Sequence, residues 1–145
     1  MNIPWKKSST AEAINRVGKA TLVENLGIHF LEPEDDCLKA VMPVDRRTHQ
    51  PAGLLHGGAS VALAETLGST ASYLIIDTQR QFCVGLEINA NHLRPVSEGT
   101  VLGTAKPIHL GKTTHVWEIK ITNELGKLVS IARLTMAVRE KPQQP

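Results

Sequence analysis

From Gly57 to Ile76 the chain is apolar or small nearly all round, with one carboxylate, Glu65, set in its middle. A helix of that make-up has no polar face to turn to water, so the rest of the fold must wrap it. The chain beyond this helix alternates. Phe82, Val84, Leu86, Ile88 and Ala90 are spaced by two, then His115, Trp117, Ile119 and Ile121, then Leu128, Ser130, Ala132, Leu134, Met136 and Val138. Period two marks half-buried antiparallel strands, whose apolar face needs a cover. The 57–76 helix is the candidate for that cover. The expected fold is α+β: about four antiparallel strands in meander-like succession around one buried helix.

The N-terminal half reads more loosely. Ser9 and Glu12 fit a capping box opening a short helix, with Ile14 and Val17 on one face, that runs on irregularly to Leu26 and stops at Gly27. Residues 28–31 suit a short strand and 32–36 a turn. From Cys37 the residues Leu38, Ala40, Met42 and Val44 alternate as a strand, and 45–55 is a loop by composition. Pro107 predicts that the strand after Gly99 ends nearby or lies on an edge. Residues 123–127, with Gly126, predict a hairpin turn. With 145 residues the chain suits one domain, 1–145, with a helical segment at 1–26 and a frayed tail at 140–145.

Composition removes several function classes. The net charge is +2 and no Lys/Arg run exceeds two residues, which argues against a nucleic-acid binder. Glu65 and the small polar residues around it argue against a membrane span. The first residues lack the apolar stretch of a signal peptide. Cys37 and Cys83 form neither a disulfide framework nor a zinc pattern, as expected of reduced thiols in a cytoplasmic protein. The histidines offer no H-E-x-x-H spacing, no G-x-G-x-x-G follows a strand, and Gly57-Gly58-Ala59-Ser60-Val61 is not a nucleophile elbow. Neither a metal nor a bound cofactor is expected.

The chemistry concentrates in Gln50-Pro51-Ala52-Gly53-Leu54-Leu55-His56-Gly57-Gly58 and in Glu65 beyond it. Glycines at a helix start bare backbone N–H groups that favour a polarised carbonyl oxygen. Gly58 is read mainly as a packing residue, Gly57 as both packing and donor. Glu65, with no polar helix face to belong to, is expected to line a cavity. Ser69 lies one turn on, placing a hydroxyl beside the carboxylate.

These residues carry a resemblance. Gln50-Pro51-x-Gly53-x-Leu55-His56-Gly57-Gly58, Leu63-Ala64-Glu65-Thr66-x-Gly68-Ser69 and Val84-Gly85-Leu86-Glu87-Ile88-Asn89-Ala90-Asn91-His92 resemble the hotdog-fold thioesterases of the aroyl-CoA type. The likeness extends to the bacterial branch that acts on 1,4-dihydroxy-2-naphthoyl-CoA and in enterobactin proofreading, and runs from about Trp5 to Val138. It implies an acyl-CoA substrate with an aromatic or polycyclic acyl group. Glu65 would be the catalytic carboxylate, Gly57 the amide polarising the thioester carbonyl, Gln50 and His56 neighbours of that carbonyl, and Ser69 a neighbour of the acid. Gly85, His92 and Arg94, with the turn His109-Leu110-Gly111-Lys112-Thr113-Thr114, would meet CoA. It also implies a homo-oligomer, dimer or dimer of dimers.

The rivals are a hotdog dehydratase or hydratase using His56 and Glu65 as acid and base, and a non-enzymatic acyl-CoA sensor. For the sensor, the residues before the first strand are too few to make a DNA-binding module. Helix geometry adds one expectation. Gly57 and Glu65, eight residues apart, are separated by about 12 Å along one helix, too far to meet on one thioester, so each site would be shared between two subunits.

Overall fold

The computed structural model describes residues 1–142. The chain forms α1 (Ala11–Val17), α2 (Leu22–Asn25), β1 (His29–Phe30), β2 (Leu38–Pro43), α3 (Gly57–Ile75), β3 (Gln81–His92), β4 (Thr100–Leu110), β5 (Thr114–Asn123) and β6 (Leu128–Glu140). All six strands join one antiparallel sheet in the order β1-β2-β4-β5-β6-β3. The expected meander holds for β4-β5-β6, but β3 pairs with β6 at the far edge rather than with β4. α3 lies on the sheet, with Leu63, Leu67 and Leu74 buried beside Trp117, Ile119, Leu134 and Met136. Each such side chain contributes about 1.5–3 kcal/mol on burial.

In the core, helix and sheet approach closely at Gly68 and Gly103, and Gly58 plays no such part. A methyl at Gly68 would stand 2.6 Å from Leu134, and one at Gly103 2.5 Å from Leu67. Gly58 is exposed, and a methyl there would meet only the ring of His56. Other local readings shift by a residue or two. Thr10, not Ser9, caps α1, its hydroxyl accepting from Ala13 N–H at 3.2 Å. Pro107 interrupts neither β4 nor its pairing with β5; it sits at a bulge just past the stretch that β2 covers, where its missing N–H costs nothing. β6 runs through Glu140, whose carboxylate accepts from Gln81 Nε2 at 2.8 Å. Of the tail expected to fray, 143–145 lie outside the described residues.

β3 departs most from its alternation. A bulge between Gly85 and Glu87 shifts its register against β6, and a bulge exchanges which residues face inward. Cys83 and Gly85 face α3 before it, Ile88, Ala90 and His92 after it. Phe82, Val84 and Leu86, which alternation would bury, are 39%, 46% and 59% exposed. No helix of the described residues is long and apolar enough to cross a membrane.

Candidate active site

The loop before α3 is held by its own backbone. Thr48 is buried, its hydroxyl donating to Pro43 O at 2.8 Å, and its carbonyl accepts from His56 N–H at 2.8 Å. Leu55 N–H bonds Val96 O at 2.7 Å, tying the loop to the chain after β3. His56 is thereby placed as the N-cap of α3, its Nδ1 accepting from Gly58 N–H at 2.8 Å. With Nδ1 an acceptor, the neutral ring carries its proton on Nε2 and is a donor there. Gln50 Oε1 accepts from Ala52 N–H, which leaves its amide hydrogens to donate elsewhere. Gly57 N–H has no partner among the described residues and lies at the positive end of the helix.

Gln50 and Gly57 open onto a cleft of about 330 Å³, lined also by Ser60, His92 and Arg94 among others; His56 lines a separate cleft beside Gly58 and Thr48. His92 leans over Gly57, its Nε2 2.9 Å from where a side-chain carbon would sit. So the structure brings together Gln50, Gly57, His92 and Arg94, from the loop, the start of α3 and the end of β3 with the chain just after it, with His56 next to them as the cap of α3 but facing another cleft.

Glu65 is elsewhere. It is half-buried, and its carboxylate lies against Gly85, so close that any side chain there would collide with it. Burial pushes its carboxyl above the ordinary 4.5, and no neighbouring cation counters that. Ser69, on the same outer stretch of α3, lines a slot beneath α1. The turn 109–114 lies at the Glu65 end of the sheet: Thr114 pairs with Ala137, next to Met136, the partner of Gly85. His92 pairs with Ser130, about 20 Å along β6 from Met136 at ~3.3 Å per residue. One chain therefore holds the candidate residues in two groups at opposite ends of the sheet.

Sequence reasoning missed a buried polar cluster. Trp117 Nε1 donates to Ser72 Oγ at 2.8 Å, and His115 Nδ1 lies 3.0 Å from the same oxygen. Burial lowers the pKa of His115, and the Gly111 carbonyl beside its ring partly opposes that. The signal was Ser72, a polar residue on the core face of α3 opposite the inward His115. Glu34, Asp36 and Cys37 lie within metal-ligand reach of one another. Glu34 and Asp36 already pair with Lys39 and Lys106 at 2.6 and 2.7 Å. The Cys37 thiol, pushed up to about 11 by burial, stays protonated and is a poor ligand.

A sheet curled on one helix, with a carboxylate and a bare helix N-terminus on it, is the hotdog arrangement, and the chain belongs to the Thioesterase superfamily, which residues 52–130 match. It is 52% identical over 134 residues to the 1,4-dihydroxy-2-naphthoyl-CoA hydrolase of Escherichia coli, spanning 92% of this chain and 98% of that protein. It is 54% identical over 134 residues to the proofreading thioesterase EntH of Cronobacter turicensis, spanning 92% and 97%. Its structure matches that of a mutant thioesterase from Pseudomonas aeruginosa with a TM-score of 0.92 and 54% identity, over 94% of this chain and 99% of that one. The protein is a thioester hydrolase, which sets aside the dehydratase and sensor readings.

Proposed function

We propose that the enzyme hydrolyses an acyl-CoA with an aromatic or polycyclic acyl group, such as 1,4-dihydroxy-2-naphthoyl-CoA, at sites built by two copies of the chain. The observation that carries this is the separation of Glu65 from Gly57. Gly57 N–H and the Gln50 amide are donors for the thioester oxygen, and they strengthen as charge develops there in the transition state; His56, by accepting from Gly58 N–H, holds the helix start that presents them. Glu65, from the partner, drives attack on the carbonyl carbon, directly or through a water. Through a water, Glu65 takes its proton as the water oxygen bonds the carbonyl carbon; by direct attack Glu65 forms a mixed anhydride that water then hydrolyses. In both routes the C–S bond breaks, its electron pair leaves on sulfur, the water oxygen ends in the free acid, and a proton from that water ends on the CoA thiol.

The unpaired edge of β3 supplies the interface. Pairing it antiparallel with its copy satisfies the open backbone groups and sets Phe82, Val84 and Leu86 beside the copy's side chains on the same face. Glu65 meets Gly85 and Gly57 meets His92, so a two-fold axis near Val61 and between Ile88 and Asn89 brings each Glu65 level with the other chain's Gly57. The partner's 109–114 turn then arrives at the end that holds His92 and Arg94, where both can meet CoA phosphates. A cytoplasmic setting suits the two free cysteines.

The test is turnover of benzoyl-, naphthoyl- and aliphatic acyl-CoA by wild type and Glu65→Gln. The variant is expected to lose about a hundredfold or more on every substrate, as for other catalytic acid/base groups, with aromatic acyl-CoA the preferred wild-type substrate. Activity within a few-fold of wild type would remove Glu65 from the reaction.

A further inference from the structure

Ser72, buried on the core face of α3, meets two ring nitrogens. Trp117 Nε1 can only donate, so it takes a lone pair of Ser72 Oγ at 2.8 Å and leaves the hydroxyl hydrogen for His115 Nδ1 at 3.0 Å. Burial keeps the His115 ring neutral, with a single N–H to give. The Gly111 carbonyl, an acceptor only, faces the same ring, so that hydrogen is on Nε2 and points to Gly111. A line of bonds thus runs from Trp117 through Ser72 and His115 to one backbone oxygen of the exposed turn.

The other ties of that turn hold different peptides. Gly111 N–H donates to Thr114 O at 2.9 Å, and Val138 N–H to Thr113 O at 2.9 Å. The His109 ring packs on Gly111, its Nε2 2.5 Å from where a methyl would stand. Only His115 engages the peptide between Gly111 and Lys112. A trans peptide is a rigid plate whose C=O and N–H point opposite ways. With Gly111 O drawn inward, the Lys112 N–H is turned outward, and it has no partner among the described residues. The Lys112 side chain is exposed and forms no ion pair among the described residues.

We infer that His115 is a positioning residue that sets the plane of the Gly111–Lys112 peptide, so that Lys112 presents its backbone N–H and its ammonium together to one CoA phosphate. This rests on the reading of the 109–114 turn as a CoA contact. A lysine alone is a flexible point charge that holds an anion without direction. A fixed N–H beside it adds a directed, charge-assisted bond to a phosphate oxygen. His115 itself is buried and touches no substrate; its effect reaches CoA through the peptide it holds.

The experiment compares benzoyl-CoA with benzoyl-N-acetylcysteamine, which carries the same thioester and no phosphate. The quantity read is the ratio of kcat/KM for the first to that for the second, in wild type, His115→Leu, His115→Gln, Lys112→Ala and Lys112→Pro, each checked for folding by thermal melting. His115→Leu is expected to lower the ratio roughly tenfold, through KM for benzoyl-CoA, the scale of one hydrogen bond to a charged group. His115→Gln, whose amide can donate to Gly111 and accept from Ser72, should stay within about threefold of wild type. Lys112→Ala removes the ammonium and lowers the ratio; Lys112→Pro removes the N–H as well and should lower it roughly tenfold further. A merely structural role for His115 lowers both thioesters alike and leaves the ratio fixed. Should His115→Leu fail to fold, Lys112→Pro against Lys112→Ala decides. An unchanged ratio in folded His115→Leu, or a Lys112→Pro no lower than Lys112→Ala, overturns the inference while the turn keeps its place at CoA. A ratio that Lys112→Ala itself leaves unchanged overturns both.

Discussion

β5 and β3 carry the same period-two pattern and meet different ends. β5 lies between β4 and β6, and its inward residues His115, Trp117, Ile119 and Ile121 are all buried within one chain. β3 has a neighbour on one side only, and three of its large apolar residues stand in solvent. The alternation reads equally clearly in both sequences; the contrast lies in the Gly85–Glu87 bulge, which leaves Phe82, Val84 and Leu86 on the face away from α3, and in the single neighbour of β3. An interior strand is completed by its own chain, whereas this edge strand keeps one side of its backbone unpaired within the chain. Glu65 and Gly85 lie at that edge, so on the proposed reading the chemistry depends on the same pairing that covers it.

A charge placed on each strand separates the two cases most sharply. Ile119→Lys buries an unpaired ammonium at a fully enclosed position, and should cost about 4 kcal/mol or more, visible as loss of the folded chain in urea melts. Val84→Lys should leave the chain folded, within about 0.5 kcal/mol for a surface change, but monomeric by light scattering and inactive. A Val84→Lys protein that stays dimeric would move the interface elsewhere.

Gly85→Ala probes the same edge more finely. The added methyl collides with the Glu65 carboxylate and must displace it. Misplacing a reacting group by an ångström can cost about a hundredfold, so kcat should fall roughly ten- to a hundredfold with the fold intact. Near-normal kcat would mean that the present position of Glu65 is not the working one.

The smallest effect is in pH. Burial holds the Glu65 carboxyl above 4.5, so the folded chain keeps a proton there that the unfolded chain has released. Folding stability therefore falls as pH rises from about 4.5 through the folded value, while activity, which needs the carboxylate, rises over the same interval. The melting temperature of wild type relative to Glu65→Gln should decline across that window, and the acid limb of kcat/KM should sit above 4.5. A difference in melting temperature that is flat with pH contradicts the burial of the charge.

The legible parts of the fold were those decided by sequence-local physics. The small-residue helix at 57–75, the inward positions of β2, β5 and β6, and the Gly126 turn all come from period and turn chemistry. Two things were not legible. A bulge at Gly85 leaves no period signature, because one extra residue looks like continued alternation until the partner strand is seen. Strand order is a matter of long-range pairing, and nothing in the β3 sequence says β6 rather than β4. At the site, the pattern around Gln50, His56, Gly57 and Glu65 was visible as oddity, a carboxylate where none belongs. The Ser72–His115–Trp117 cluster stayed hidden because each member alone is ordinary.

On the proposed reading, Gly57 with its neighbours and Glu65 act together only across two chains. Mixing Glu65→Ala protein with a Gln50→Ala, His56→Ala variant tests it directly. Each parent is inactive alone, and in a refolded equal mixture half the dimers are mixed, each holding one complete site of two. Recovery of about a quarter of wild-type activity is the expected result. Verified mixed dimers that remain inactive would place the whole site within one chain and contradict the claim.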